Sequence, residues 1–189
     1  MKELTKESIR ELPLIQYEGP IHVVNDEKSL KKAISYLKKF TVLGFDTEKK
    51  PTFKKGEYNH PALIQLATDE AAYIFQLPAI GFHSALRDLF SNPNILKLGV
   101  AVRDDLVELK RMEPFTPGGF IDLARLAKEQ DIPYFGLRNL TAFFLDGRLS
   151  KSQQTSNWEN ETLTEPQKIY AATDAWVALR IYEGLTAQA

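Results

Sequence analysis

The order of its apolar segments most constrains what this chain can fold into. Strand-like runs come early, at Thr41–Asp46, Ala62–Thr68 and Ala72–Gln76. Further strand-like runs, at 95–99 and 120–121, then alternate with helical patterns at 83–91, 102–112 and 137–145. Strands followed by strand–helix alternation favour an α/β domain with a mixed sheet.

Two further signals mark the ends of this domain. Ile21–Val24 reads as a short strand, followed by a helix that Asn25 or Asp26 caps and that runs to about Phe40. The last helix is predicted from about Thr164 to Gly184, because a threonine cap, an early proline and a capping-box glutamine coincide there. We therefore predict an N-terminal arm over residues 1–20 and one domain over 21–189.

Composition excludes several classes of protein. There are no cysteines among the 189 residues, so disulfide frameworks and thiolate metal sites are ruled out. The sequence shows no secretory signal and no apolar run long enough for a membrane span, so we expect a cytoplasmic protein without a membrane partner. A net charge of −1 argues against a broad duplex-coating surface, but it suits an enzyme that binds a short single-stranded end.

Asp46 and Glu48 follow directly on the apolar run of residues 42–45. If this segment is extended, the period of two places both carboxylates on one face of the sheet. Neighbouring carboxylates repel each other unless a cation lies between them. The simpler interpretation is a solvated strand end, but ligands often bind open α/β sheets at the ends of their strands.

Two acidic signals lie on predicted helices in the second half. Tyr170 and Asp174 are four residues apart and therefore share one helix face, between small neighbours that would let the helix approach a sheet. Asp104 and Asp105 open another helix, where an acid can simply complement the helix dipole. Each signal alone is as compatible with a structural role as with a functional one.

Together, these residues resemble the three motifs of a nuclease family. FDTE at 45–48 with ALIQL at 62–66 resembles the first motif, and KLGV at 97–100 with Asp105 resembles the second. LTEPQKIY at 163–170 with Asp174 resembles the third, in its Y-x-x-x-D form. The chain is thus similar to the DEDDy-type 3′–5′ exonucleases, the family of RNase D and the Werner-type exonuclease domain.

The resemblance implies an RNase H-like fold, a mixed sheet with helices on both faces. It also implies two divalent cations, Mg²⁺ or Mn²⁺, held by four carboxylates that suit hard cations. Asp46 would be shared by both ions, Glu48 and Asp174 would serve the ion that activates water, and Asp105 would serve the other. Tyr170 would orient the attacking water. The implied reaction releases nucleoside 5′-monophosphates from a 3′ end.

The substrate contacts are predicted from position alone. Thr47, Lys49 and Leu66 would line the pocket of the terminal nucleotide, and Lys151 with Arg148 would contact phosphates. The expected partner is single-stranded or 3′-recessed nucleic acid, either DNA or RNA. Two alternatives remain open: a catalytically weak nucleic-acid-binding module, and a hydrolase of very short oligonucleotides.

Overall fold

The computed structural model describes residues 4–54 and 56–187. Residues 1–3, Lys55 and residues 188–189 lie outside the described part of the chain, and with them the outer ends of the predicted arm and domain.

Six strands form a single mixed sheet in the order β1-β4-β3-β2-β5-β6. The strands are β1 Ile21–Val24, β2 Val42–Lys49, β3 Pro61–Ala67, β4 Ala72–Gln76, β5 Leu96–Gly99 and β6 Phe120–Asp122. Strand β3 runs antiparallel to both of its neighbours, whereas β1 is parallel to β4, and β2, β5 and β6 are mutually parallel. The mixed sheet predicted from the sequence is therefore confirmed.

Eight helices accompany the sheet within the described ranges. They are α1 Lys6–Glu11, α2 Glu27–Leu37, α3 Leu77–Ile80, α4 Ser84–Ser91, α5 Val102–Met112, α6 Leu123–Glu129, α7 Leu137–Leu145 and α8 Glu165–Thr186. The capping box predicted at Thr164 is present, because its side chain accepts from the Gln167 N–H and the Gln167 side chain accepts from the Thr164 N–H. None of these helices has both the length and the apolarity needed to cross a membrane.

The helices cover both faces of the sheet. On one face, α2, α4 and α5 bury side chains such as Leu37, Phe90 and Leu109 against Phe45 and its neighbours. On the other face, α6, α7 and α8 pack on the sheet through a second core that is rich in alanine. Helices on both faces of a mixed sheet confirm the predicted fold class.

The close approach of α8 to β2 depends on a glycine. A Cβ atom placed on Gly44 would lie 1.9 Å from the carbonyl oxygen of Ala175, so no other residue fits there without moving the helix. Buried alanines of α8, including Ala171 and Ala178, allow a short distance between the helix and the sheet along the rest of α8. The strand that carries Asp46 and the helix that carries Asp174 are therefore held close together.

The N-terminal arm contains a helix that the sequence analysis did not predict. After α1 the chain is bound to the segment that follows α7, through the parallel bridge between Leu14 and Arg148. A Cβ atom on Gly147 would lie 2.1 Å from the Ile15 side chain, so the glycine permits this contact. Tyr17 ends the arm as a buried residue against α8, where its N–H donates to the Thr173 hydroxyl over 2.9 Å. The arm therefore packs along the domain.

Candidate active site

Asp46 and Glu48 lie in β2, which continues to Lys49, three residues beyond the predicted strand end. Both are therefore in extended backbone, where residues two apart share a face. Asp46 is directly opposite Gln65 in the register with β3, and Glu48 is opposite Leu63. Because Leu63 belongs to the core beneath α8, both carboxylates lie on the face that α8 covers.

Helix α8 brings the third carboxylate to these two. One oxygen atom from each of Asp46, Glu48 and Asp174 lies within 4.8 Å of the others. Asp174 is 9% exposed, and the other two side chains are partly buried. A strand and a helix separated by more than a hundred residues thus supply one cluster of three carboxylates, which we call the acid cluster.

The acid cluster is electrostatically uncompensated. Burial and the repulsion of Asp174, Glu48 and Asp105 raise the pKa of Asp46 well above its ordinary value. Burial, then repulsion by Asp174 and Asp105, raises the pKa of Glu48 to about 8. Burial raises the pKa of Asp174 to about 7, although Arg138 and a hydrogen bond from Tyr170 oppose the increase. Glu48 therefore retains its proton at neutral pH, and Asp174 retains it in part, unless a cation replaces it.

Asp105 lies beside the acid cluster, in the first turn of α5. The Thr47 hydroxyl donates a hydrogen bond of 2.5 Å to its carboxylate. Burial raises the pKa of Asp105 to about 6, although the Thr47 hydrogen bond opposes the increase. The adjacent Asp104 is exposed. Asp105 is therefore the member of the pair that points inward, but it is not among the residues that form the cluster of three.

Tyr170 lies one helical turn before Asp174, and its hydroxyl forms a hydrogen bond with the Asp174 carboxylate at the acid cluster. Its ring packs on Trp158, which is fully buried, with 5.8 Å between ring centroids. Burial and the negative charges of Asp174 and Glu48 raise the pKa of the Tyr170 hydroxyl above its ordinary value. Tyr170 therefore stays neutral over the physiological pH range and can act only through hydrogen bonds.

Two cavities open on either side of the acid cluster. The first has a volume of about 550 Å³ and is called here the acidic cavity. Its charged lining residues are Glu48, Lys49, Asp104, Asp105 and Glu108. With four acids and one lysine, this cavity repels phosphate groups in the absence of bound cations.

The second cavity is larger, about 780 Å³, and is called here the basic cavity. Asp46, Tyr170 and Asp174 line its inner end, and Gln154 lines both cavities. Its cationic lining residues are Lys6, Arg10, Arg138, Arg148 and Lys151. Five cations around the approach to three carboxylates form a surface that attracts a polyanion toward the acid cluster.

The predicted substrate contacts fall in different places. Thr47 and Lys49 line the acidic cavity, whereas Lys151 and Arg148 line the basic cavity. The prediction for Leu66 is corrected by the structure, because its side chain is 0% exposed and belongs to the core of the opposite sheet face. Leu66 is opposite Phe45 in the register, so strand alternation directs it away from Asp46.

Two polar residues at this site were missed by sequence reasoning. Arg138 lies near Tyr170 and Asp174, and one of its terminal nitrogens is buried without a hydrogen-bond partner in the described ranges. Gln65, the cross-strand neighbour of Asp46, has both amide atoms buried and unpartnered in the same ranges. A glutamine within the otherwise apolar strand β3 was a visible signal, whereas Arg138 had none.

The donor set of the acid cluster fits divalent cations of the Mg²⁺ type. All donors are carboxylate oxygens, which hard cations prefer over nitrogen and sulfur ligands. Burial, and for Glu48 also the neighbouring carboxylates, raises the pKa of Glu48 and Asp174, and a bound cation would favour their ionised forms. The unpartnered Gln65 amide beside Asp46 is a further polar group available to orient a ligating carboxylate.

Comparison with known proteins agrees with this geometry. Residues 21–189 match the model of a family described as 3′–5′ exonuclease. The bifunctional 3′–5′ exonuclease/ATP-dependent helicase WRN of Mus musculus is 35% identical over 184 residues, which cover 92% of this chain and 13% of that protein. The exonuclease mut-7 homolog of Aedes aegypti is 29% identical over 196 residues, covering 90% of this chain and 27% of that protein. The chain thus spans a small part of these relatives.

Solved structures show the same fold. The Aedes aegypti Nibbler EXO domain has a TM-score of 0.82 and 27% identity, with 92% of each chain covered. Escherichia coli RNase D, an exoribonuclease, has a TM-score of 0.77 and 25% identity, with 89% of this chain and 44% of that chain covered. The sheet with helices on both faces is therefore RNase H-like, as the motifs implied. With its family match and its relatives in agreement, the chain belongs to the 3′–5′ exonuclease family.

Proposed function

We propose that this chain is a metal-dependent 3′–5′ exonuclease that hydrolyses nucleic-acid phosphodiesters and releases nucleoside 5′-monophosphates. The observation that carries this proposal is the acid cluster, with oxygens of Asp46, Glu48 and Asp174 within 4.8 Å of one another. Two of its members, Asp46 and Asp174, line the basic cavity. A cluster of carboxylates with raised pKa values has no structural benefit of its own, since mutual repulsion opposes folding.

Asp46, Glu48 and Asp174 would hold the divalent cations, and Asp105 would complete the set from α5. Bound there, Mg²⁺ or Mn²⁺ would neutralise the phosphodiester and lower the pKa of the attacking water. The Thr47 hydroxyl fixes the Asp105 carboxylate, so this ligand is oriented before any cation binds. The assignment of two cations rests on the family resemblance and on the number of carboxylates.

Tyr170 acts in this proposal as a neutral hydrogen-bonding group. Burial and the nearby carboxylates hold its hydroxyl in the protonated form, so it can orient the attacking water but does not serve as the general base, which would require the ionised hydroxyl. Trp158 supports the ring from below and limits the positions of the hydroxyl. Arg138, near both Tyr170 and Asp174, is placed to offset negative charge that develops on the phosphate.

The substrate in this proposal is a single-stranded or 3′-recessed end. The cations Arg148 and Lys151 in the basic cavity support phosphate binding close to the acid cluster. Escherichia coli RNase D is an exoribonuclease, which makes RNA one substrate to test. Matched digestion of single-stranded DNA, recessed duplex DNA and RNA would rank the three.

The proposal is tested with a 3′-labelled single strand incubated with Mg²⁺ or Mn²⁺. We expect release of a labelled nucleoside 5′-monophosphate, and a loss of about a thousandfold in Asp46→Asn, the equivalent of roughly 4 kcal/mol in transition-state stabilisation. If the unmodified protein releases no nucleotide with either cation, the proposal is wrong. Strand binding without hydrolysis would then identify a nucleic-acid-binding module.

A further inference from the structure

Charge is segregated across helix α1 of the N-terminal arm. Lys6 and Arg10 are four residues apart and therefore share one face, whereas Glu7 and Glu11 share the adjacent face. The face with Lys6 and Arg10, together with Ile9, lines the basic cavity. The two glutamates are absent from that lining. A six-residue helix thus presents its cations toward the approach to the acid cluster and directs its acids elsewhere.

The two cations of α1 are not used to stabilise the fold. Within residues 4–54 and 56–187, neither Lys6 nor Arg10 takes part in an ion pair, whereas Lys31 on α2 pairs with Glu27. Helix α1 contributes no buried residue to either core. Uncompensated cations beside a cavity are available to an anionic ligand at little desolvation cost.

The arm is fixed to the domain at both ends of α1. Before the helix, the Leu4 N–H donates to the Tyr134 hydroxyl over 2.9 Å. After it, the Arg148 N–H donates to the Pro13 carbonyl over 2.9 Å, and Arg148 Nε donates to the Leu12 carbonyl over 3.0 Å. These bonds hold α1 at the rim of the basic cavity, so binding there requires no ordering of the arm.

An aromatic side chain lies at the same rim. Phe135 lines the basic cavity just before α7 and is 55% exposed, so its ring is accessible from the cavity. Cations that track phosphates, combined with an exposed aromatic ring that stacks on bases, are the usual means of binding single-stranded nucleic acid. The rim of the basic cavity combines both groups.

We propose that the arm is part of the substrate-binding surface, in which Lys6 and Arg10 contact phosphates of the single strand upstream of the terminal nucleotide and Phe135 stacks on one of its bases. This inference rests on the proposed exonuclease function. The match to the family model begins at residue 21, so Lys6 and Arg10 lie outside the residues that this model matches. The arm would make the protein prefer strands long enough to reach α1.

The first test is a binding measurement with divalent cations removed by chelation. Fluorescence anisotropy of a labelled oligothymidylate of about twelve nucleotides is recorded over a series of salt concentrations for the full chain, Lys6→Gln/Arg10→Gln and Lys28→Gln/Lys32→Gln. The control pair is exposed on α2 and has the same spacing. Two lost phosphate contacts should reduce the slope of log K against log salt by about 1.4 in the first variant alone. Equal slopes in the two variants would overturn the inference.

The aromatic part of the proposal predicts a different result. Phe135→Ala should weaken binding of the same strand by between about fivefold and a hundredfold, with the salt slope unchanged, because stacking releases no counterions. Unchanged affinity would remove Phe135 from the proposed surface.

A kinetic test separates failure of the arm from failure of the proposed function. With Mn²⁺, the ratio of kcat/KM for the long strand to kcat/KM for a dinucleotide should fall about tenfold in Lys6→Gln/Arg10→Gln and stay constant in the control pair. An unchanged ratio would contradict a role for the arm. If the unmodified protein hydrolyses neither substrate, the exonuclease proposal fails, and the salt slope still decides whether the arm binds the strand.

Discussion

The acidic and basic cavities meet at one cluster of carboxylates, yet their walls carry opposite charge. Four acids and one lysine line the first, and five cations line the second outside the acid cluster. The net charge of −1 averages these two regions and conceals both. A nearly neutral chain can therefore attract a polyanion if its cations are grouped around one cavity and its acids around another.

The difference also assigns separate tasks to the two cavities. Under the proposed function, the acidic cavity would bind a phosphate only after cations have neutralised its carboxylates, whereas the basic cavity would bind the strand without cations. Hydrolysis and strand binding should therefore respond to different substitutions.

Glu48→Gln should lower kcat about a thousandfold, because one ligating carboxylate of the acid cluster is lost while the shape of the side chain is kept. Affinity for a long strand in the absence of divalent cations should be retained, since Glu48 lines the acidic cavity and not the basic cavity. Glu161→Gln, an exposed residue, is the matched control. A parallel loss of strand affinity and kcat would contradict the division of tasks.

Asp105→Asn should lower kcat about a hundredfold, while Asp104→Asn changes it less than about threefold. The two residues are adjacent in the first turn of α5, but only Asp105 accepts the Thr47 hydrogen bond beside the acid cluster. The asparagine retains an acceptor for Thr47, so the change removes charge rather than structure. Single-turnover rates at saturating Mn²⁺ measure both variants. Similar losses of rate would show that the assignment of Asp105 rather than Asp104 to the second motif is wrong.

Arg138→Gln should lower kcat/KM about tenfold, because a cation that lines the basic cavity is lost. Its guanidinium opposes the burial-driven rise of the Asp174 pKa and lies near Tyr170, where phosphate charge would develop. Arg125→Gln, which removes an exposed partner of Glu129 on α6, serves as the control. Equal rates for the two variants would exclude Arg138 from the site.

The smallest effect concerns stability and pH in the absence of divalent cations. Folding raises the pKa of Glu48 from 4.5 to about 8 and that of Asp174 from 3.8 to about 7. The folded protein therefore binds more protons than the unfolded chain between these limits. The stability supplied by these protonated groups is fully present below the unfolded pKa values and is lost as pH rises through the folded ones.

At pH 8, Glu48→Gln should consequently raise the Tm of the chelated protein by roughly 2–8 °C, the effect of about 1–2 kcal/mol in a chain of this size. At pH 5 the two proteins should unfold at nearly the same temperature. Mn²⁺ should reverse the order at pH 8 by stabilising only the unmodified acid cluster. Thermal scans at the two pH values measure this, and a Tm difference that does not depend on pH would contradict the shifted pKa values.

Much of the fold could be predicted because each element carries its own local signal. The alternating patterns and caps at Asp26 and Thr164 predicted α2 and α8 within a few residues. Strand β2 proved longer than predicted, because pairing with β3 extends it through the polar residues Glu48 and Lys49. Such pairing depends on a distant segment and leaves no pattern in the strand itself.

The candidate site was predictable to the extent that its residues share an element. Strand period paired Asp46 with Glu48, and helix period paired Tyr170 with Asp174. Contacts between elements were not predictable, which explains the error at Leu66 and the omission of Arg138. Helix α1 was missed as well, since its six residues bury nothing and bear no apolar stripe.

Gly44 affects the acid cluster through the space that its missing side chain leaves between β2 and α8. Its missing Cβ lets the Ala175 carbonyl approach β2, and Asp174 is the residue immediately before Ala175. The distance between carboxylates from the two elements is thus set by a residue that touches no ligand. A larger residue at position 44 would push α8 away from β2 and carry Asp174 away from Asp46, so the proposed cation site would widen through a change in the sheet.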